Sequence, residues 1–135
     1  MIDRFQTDVF DNAPDLVIWQ TGTVEAMGEG AVDPFLGTLR SGSEQIRAHG
    51  ADLLFMDSQF YSGVGVSAHY QGFQTAMAAF ARQSGAAMVP RYALMGRYVG
   101  VGLYPLAALL ASDSFHPSDL TYRCLGEYTA AGLSG

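Results

Sequence analysis

The sequence predicts an α/β fold, a three-layer sandwich on a shortened parallel sheet of about three strands flanked by helices. Three short apolar runs predict it: Leu16-Val17-Ile18-Trp19, Leu53-Leu54-Phe55-Met56 between Asp52 and Asp57, and Ala86-Ala87-Met88-Val89. Each is bounded by Pro, Gly or Asp, as buried strands are. The segments between them carry apolar residues at helical spacing. Strand and helix alternating in this way imply right-handed crossovers, a parallel sheet and helices on both faces.

The elements follow in order. Ile2, Phe5, Val9 and Phe10 recur at helical spacing, and Asp11-Asn12-Ala13-Pro14 stops a short amphipathic helix. Leu16 to Trp19 is continuously apolar and reads as a strand buried on both faces. Glu25 to Asp33, with Gly28 and Gly30, has no periodicity and reads as a loop. A second helix starts near Asp33-Pro34, turns Phe35, Leu36, Leu39, Ile46 and the stem of Arg47 inward, and ends at His49-Gly50. After the second strand and the loop Ser58 to Ser67, a third helix runs from about Tyr70 to Gln83, with Gly85 as its stop. Gly96, Gly100 and Gly102 weaken any helix from Tyr92, and a short helix follows over Tyr104 to Ala111. Pro117-Ser118-Asp119 caps a last helix with Leu120, Cys124, Leu125 and Tyr128 inward.

Composition bounds the function classes. The 135 residues are 49% hydrophobic and 15% charged, which fits one folded domain over residues 1–135. Net charge is −6, every cation is Arg and Lys is absent, so a nucleic-acid partner is disfavoured. Cys124 is the only cysteine, which excludes an internal disulfide and a thiolate metal site. The scattered His49, His69 and His116 lack a second ligand at i+4, and no metal or cofactor is expected. Met1-Ile2-Asp3-Arg4-Phe5 is not a signal-peptide start. The stretch from Val99 to Ala111 contains Gly100, Gly102 and Pro105 and is too short for a transmembrane segment. The expectation is a soluble domain of unspecified compartment.

A sheet of about three strands leaves a hydrophobic edge at Leu16–Trp19 without a neighbour. That edge predicts self-association or docking onto another protein chain.

Ligands in open parallel sheets gather at the carboxyl ends of the strands. Gln20 to Glu25, Asp57 to Tyr61 and Pro90-Arg91 lie there. Near the C-terminus, Asp113-Ser114-Phe115-His116-Pro117-Ser118 sets an acid three residues before a histidine at a helix start. Together with Pro14 to Thr23 and Ala51 to Tyr61, this ordered set resembles the second half of an SGNH/GDSL-type hydrolase, a flavodoxin-like fold. The resemblance implies an ester or acetyl-ester hydrolase with His116 as general base and Asp113 as its orienting acid. Gly22 would sit beside the oxyanion hole. Val24 stands where the family places an oxyanion Asn, and loss of such a donor costs about 10²–10³ in turnover. The family's first block, Gly-Asp-Ser, and its second block have no counterpart, so the resemblance implies an incomplete domain. In the family the missing first strand would lie beside Leu16 to Trp19. Among the serines present, Ser58, Ser62, Ser67 and Ser112, none occupies a Gly-x-Ser-x-Gly elbow, and Ser58 at a strand end is the best-placed candidate nucleophile.

Plainer readings stand beside these. Asp113 and His116 also suit a helix-capping loop, with the acid on a backbone amide and the ring on Tyr122. His49 fits a helix C-terminus; His69, with Tyr61 and Tyr70, fits a helix entry better than a pocket. Arg91, Arg97 and Arg123 read as solvated surface. Two hypotheses follow: the acid/base part of a hydrolase that is inactive alone for want of its serine, or a non-catalytic accessory subunit that uses the sheet edge.

Overall fold

The computed structural model describes residues 2–60, 63 and 66–134. Three strands form one parallel sheet: β1 (Leu16–Gln20), β2 (Asp52–Met56) and β3 (Ala87–Val89), in the order β1-β2-β3. Leu16 pairs with Asp52 and Gln20 with Met56, while Leu54 pairs with Ala87 and Met56 with Val89. Among the described residues β2 is central, and β1 has a strand neighbour on one side only, as the strand count predicts.

Helices α3 (Val32–Ala48) and α4 (Ala68–Ser84) cover one face of the sheet. Val17, Trp19, Leu53 and Phe55 meet Phe35, Leu39, Ile46, Phe73, Met77 and Ala81 there in one core. The opening helix is broken into two 3₁₀ turns, Ile2–Arg4 and Phe10–Asn12, around α1 (Phe5–Asp8). Phe5 docks edge-on against Trp19, with ring centroids 5.1 Å apart. The contact is tight on the helix side too, because a Cβ on Gly42 of α3 would overlap the Trp19 indole.

The opposite face carries α7 (Asp119–Leu133), whose Leu125 packs on Leu54 and Val89, with Leu16, Met56 and Leu94 at the margin. Helices on both faces of a parallel sheet make the predicted three-layer sandwich. One helix is about 10 Å wide and strands lie about 4.8 Å apart, so α7 alone covers roughly two strands. The shortfall falls on β1. Ile18 is 49% exposed, which corrects the expectation of a strand buried on both faces. An open apolar groove lined by Ile18, Met56, Tyr122, Leu125 and Leu133 runs beside it.

Other expectations shift. The segment read as an aperiodic loop after Thr23 contains a short helix, α2 (Thr23–Met27), capped by Gly22 in the left-handed region (φ 96°). The glycines after Tyr92 do not prevent α5 (Arg91–Gly100), since Gly96 fits against the Phe60 ring. The helix expected over Tyr104 to Ala111 is the single turn α6 (Leu106–Leu109). On α7 Leu125 is buried, but Tyr128 is exposed rather than inward. Arg91, read as solvated surface, is fully buried. Among the described residues no helix is long and apolar enough to cross a membrane.

Candidate active site

The loop between α6 and α7 is built by short-range bonds. Asp113 Oδ1 accepts from the amides of Phe115 and His116, both at 2.9 Å. Its other oxygen, Oδ2, lies 2.6 Å from His116 Nδ1. One carboxylate therefore fixes both the backbone and the ring. Ser114 takes a left-handed conformation (φ 58°) to make the turn. Ala111 N closes the loop on His116 O at 2.7 Å. Ser118 caps α7 and donates from Oγ to Ala108 O at 2.7 Å, which seats the helix start on α6.

The protonation state follows from the bonds. The His116 hydrogen bond, then the two backbone amides, hold the Asp113 carboxyl at about 2. At neutral pH it is ionised and can only accept, so His116 Nδ1 is the donor of that bond and Nε2 is the ring nitrogen left for other partners. The His116 side chain is 65% exposed. An imidazole oriented by a carboxylate, with its far nitrogen free to take a proton, is the base arrangement of acyl transfer.

Behind this loop the strand ends form a buried polar layer. Arg91 Nε donates to Asp57 O at 2.9 Å and Nη2 to Thr23 Oγ1 at 3.4 Å, so one guanidinium joins the carboxyl ends of β1, β2 and β3. The Arg91 Nη1 atom is buried without a hydrogen-bond partner. Burial lowers the Arg91 pKa, while nearby Asp57 opposes the shift. Asp57 Oδ1 accepts from Tyr92 N at 2.9 Å, yet burial pushes its carboxyl up to about 6. The Gln59 side-chain amide donates to Phe115 O, and Gln59 O accepts from Tyr70 Oη at 2.8 Å.

Comparison with known proteins gives the chain a family. The model of the Non-GDSL lipase-like family matches residues 1–133. The chain belongs to the Non-GDSL lipase-like family.

This lipase-like chain has its structural neighbours among GDSL/SGNH hydrolases. It is similar to the lipase/acylhydrolase from Enterococcus faecalis (TM-score 0.78, 17% identity), covering 98% of this chain and 67% of that one. A catalytic mutant of Axe2, an acetylxylan esterase from Geobacillus stearothermophilus, matches with TM-score 0.75 and 21% identity over 93% of this chain and 62% of that one. TesA matches with TM-score 0.70 and 23% identity over 93% of this chain and 66% of that one. The lipase-like chain thus spans about two thirds of the length of these proteins. No curated protein matches it.

Gly22 N donates to Glu25 Oε2 at 3.2 Å, so the amide beside the expected oxyanion region is already taken. Val24 is 77% exposed and offers no donor. Ser58 is fully buried, and its Oγ has no hydrogen-bond partner. It lies under Gly22, where an added Cβ would come within 3.1 Å of Ser58 Oγ and 3.3 Å of the Phe35 ring. Ser67 caps α4 by accepting from Tyr70 N at 3.1 Å, and Ser112 is exposed. Ser62, and the Tyr61 placed beside His69, lie outside the described residues. His69 Nε2 sits 3.0 Å from Gly28 O, and His49 stacks on Phe10 with centroids 3.7 Å apart. Among the described residues no cluster of three His, Cys, Asp or Glu side chains is arranged to hold a metal ion.

Sequence reasoning passed over Gln59 and misread Arg91. The available signal was position: both lie within three residues of a strand end at the carboxyl edge of the sheet.

Proposed function

We propose that this chain carries the base and orienting acid of an ester hydrolase of the acetyl-ester class, His116 and Asp113, and that its nucleophilic serine comes from outside these residues. One observation carries the reading: the 2.6 Å contact from Asp113 Oδ2 to His116 Nδ1, held by the two amides on Oδ1 while the His116 side chain stays exposed. A capping loop needs the amide bonds alone; the ring contact is the added feature a base requires. In the reaction Nε2 takes the proton of the attacking hydroxyl, and Asp113 stabilises the imidazolium that forms.

The serine-bearing segment would pair along the free edge of β1, and residues 1–135 would be inactive without it. The 49% exposure of Ile18 beside that edge supports such a segment there, from another protein chain or a longer gene product. The test is p-nitrophenyl acetate turnover by the chain alone and by its native assembly. Turnover confined to the assembly and abolished by His116→Ala supports the reading; assembly turnover indifferent to His116→Ala overturns it.

A non-catalytic accessory subunit is the second reading. Glu25 on the Gly22 amide and the donorless Val24 favour it, because both remove oxyanion stabilisation from the end of β1.

A further inference from the structure

We infer that Gln59 is a positioning residue, which sets the His116 imidazole against the strand ends by holding the peptide carbonyl of Phe115. The inference rests on the reading of His116 as the base.

The peptide unit between Phe115 and His116 is clamped at both edges. Its N–H, from His116, donates to Asp113 Oδ1 at 2.9 Å. Its C=O, from Phe115, accepts from Gln59 Nε2. In a trans peptide these groups point in opposite directions, so two partners on opposite sides fix the plane and the direction in which His116 leaves it. The next carbonyl, His116 O, is held by Ala111 N. The backbone on both sides of the imidazole is therefore pinned.

The clamps differ in reach. Those made by Asp113, Ala111, Ser118 and Thr121 begin and end within residues 108–121. They shape the loop but do not tie it to the sheet. Gln59 reaches across 56 residues from the segment that follows β2. It is 3% exposed, and Tyr70, fully buried in α4, anchors its backbone carbonyl at 2.8 Å. Asp113 thus governs the tautomer and rotation of the ring, and Gln59 governs where the ring stands relative to the strand ends. Misplacement of a catalytic group by about 1 Å costs on the order of 10² in rate, so such a tie has a kinetic consequence.

Gln59→Leu removes the donor and keeps an apolar filler; Tyr70→Phe removes only the anchor and serves where Gln59→Leu does not fold. Two readouts apply. In the isolated chain, amide hydrogen exchange at Ala111, Phe115 and His116 is expected to quicken about tenfold or more in Gln59→Leu, and less in Tyr70→Phe, while Leu54 and Phe55 of β2 keep their protection. In the native assembly, kcat on p-nitrophenyl acetate is expected to fall at least tenfold at unchanged KM. Loop and strand amides quickening together would mean a merely structural residue and overturn the inference, as would unchanged loop exchange. If His116→Ala abolishes turnover and Gln59→Leu leaves kcat intact, the clamp fails and the base stands. If His116→Ala itself has no effect, the reading of the base fails.

Discussion

Asp113 and His116 meet through one carboxylate that grips the histidine twice, by its backbone amide at 2.9 Å and by its ring nitrogen at 2.6 Å. Backbone and side chain are thereby held by the two oxygens of one carboxylate, the amides on Oδ1 and the ring on Oδ2. The pair is complete within four residues, Asp113 to His116, so its geometry needs no contact from elsewhere in the chain.

The pair should show itself in titration. Asp113 is held at about 2, first by the His116 side chain. A carboxyl whose folded pKa lies below its reference of 3.8 contributes stability that is present above 3.8 and lost as pH falls through about 2. Carboxyl carbon NMR should place the Asp113 midpoint near 2, and His116→Ala should raise it toward 3.8. A wild-type midpoint at 3.8 would mean that the hydrogen bond is absent in solution.

Asp57 should act with the opposite sign. Burial raises its pKa from 3.8 to about 6, so between these values the folded protein binds more protons than the unfolded chain. Stability from this group falls as pH rises from about 4 to about 6, by about 3 kcal/mol in all. Asp57→Asn, which keeps an acceptor for Tyr92 N, should flatten that slope in denaturant titrations run at pH 4, 5, 6 and 7.

Gly42 has no room for a side chain, since an added Cβ would overlap the Trp19 ring. Trp19 is itself wedged between Phe5 and Phe55, so the ring has nowhere to retreat. Gly42→Ala should destabilise the fold by about 1–3 kcal/mol, as overpacking does. The same change at Gly37, where nothing lies within 4 Å, should cost nothing.

The β1 edge predicts association. At micromolar concentration the chain should sediment as more than a monomer unless its partner is bound, and Ile18→Lys should restore the monomer. A monomeric wild type would count against the edge as an interaction surface.

Much of the fold was legible because it is written in local patterns. The strand runs at Leu16, Asp52 and Ala87 are short, apolar and punctuated, and Pro34, Gly85 and Ser118 mark helix ends by their own chemistry. The Asp113–His116 pair was legible because its spacing of three residues is itself the geometry. What escaped depended on contacts distant in sequence. Nothing near Arg91 says that it will bridge Asp57 O and Thr23 Oγ1 rather than face water. Gln59 meets Phe115 only after the sheet and its helices have closed. The exposed Ile18 was misread for a related reason: an apolar run reports burial, but not whether a helix is present to provide it.

The central claim is that His116 serves a serine from outside this chain. Fluorophosphonate labelling of the native assembly, with the modified residue located by peptide mass spectrometry, tests it most directly. The account predicts a labelled serine outside residues 1–135 and loss of that label in His116→Ala. A label on Ser58 or any other serine of this chain, or an assembly that takes no label, would contradict it.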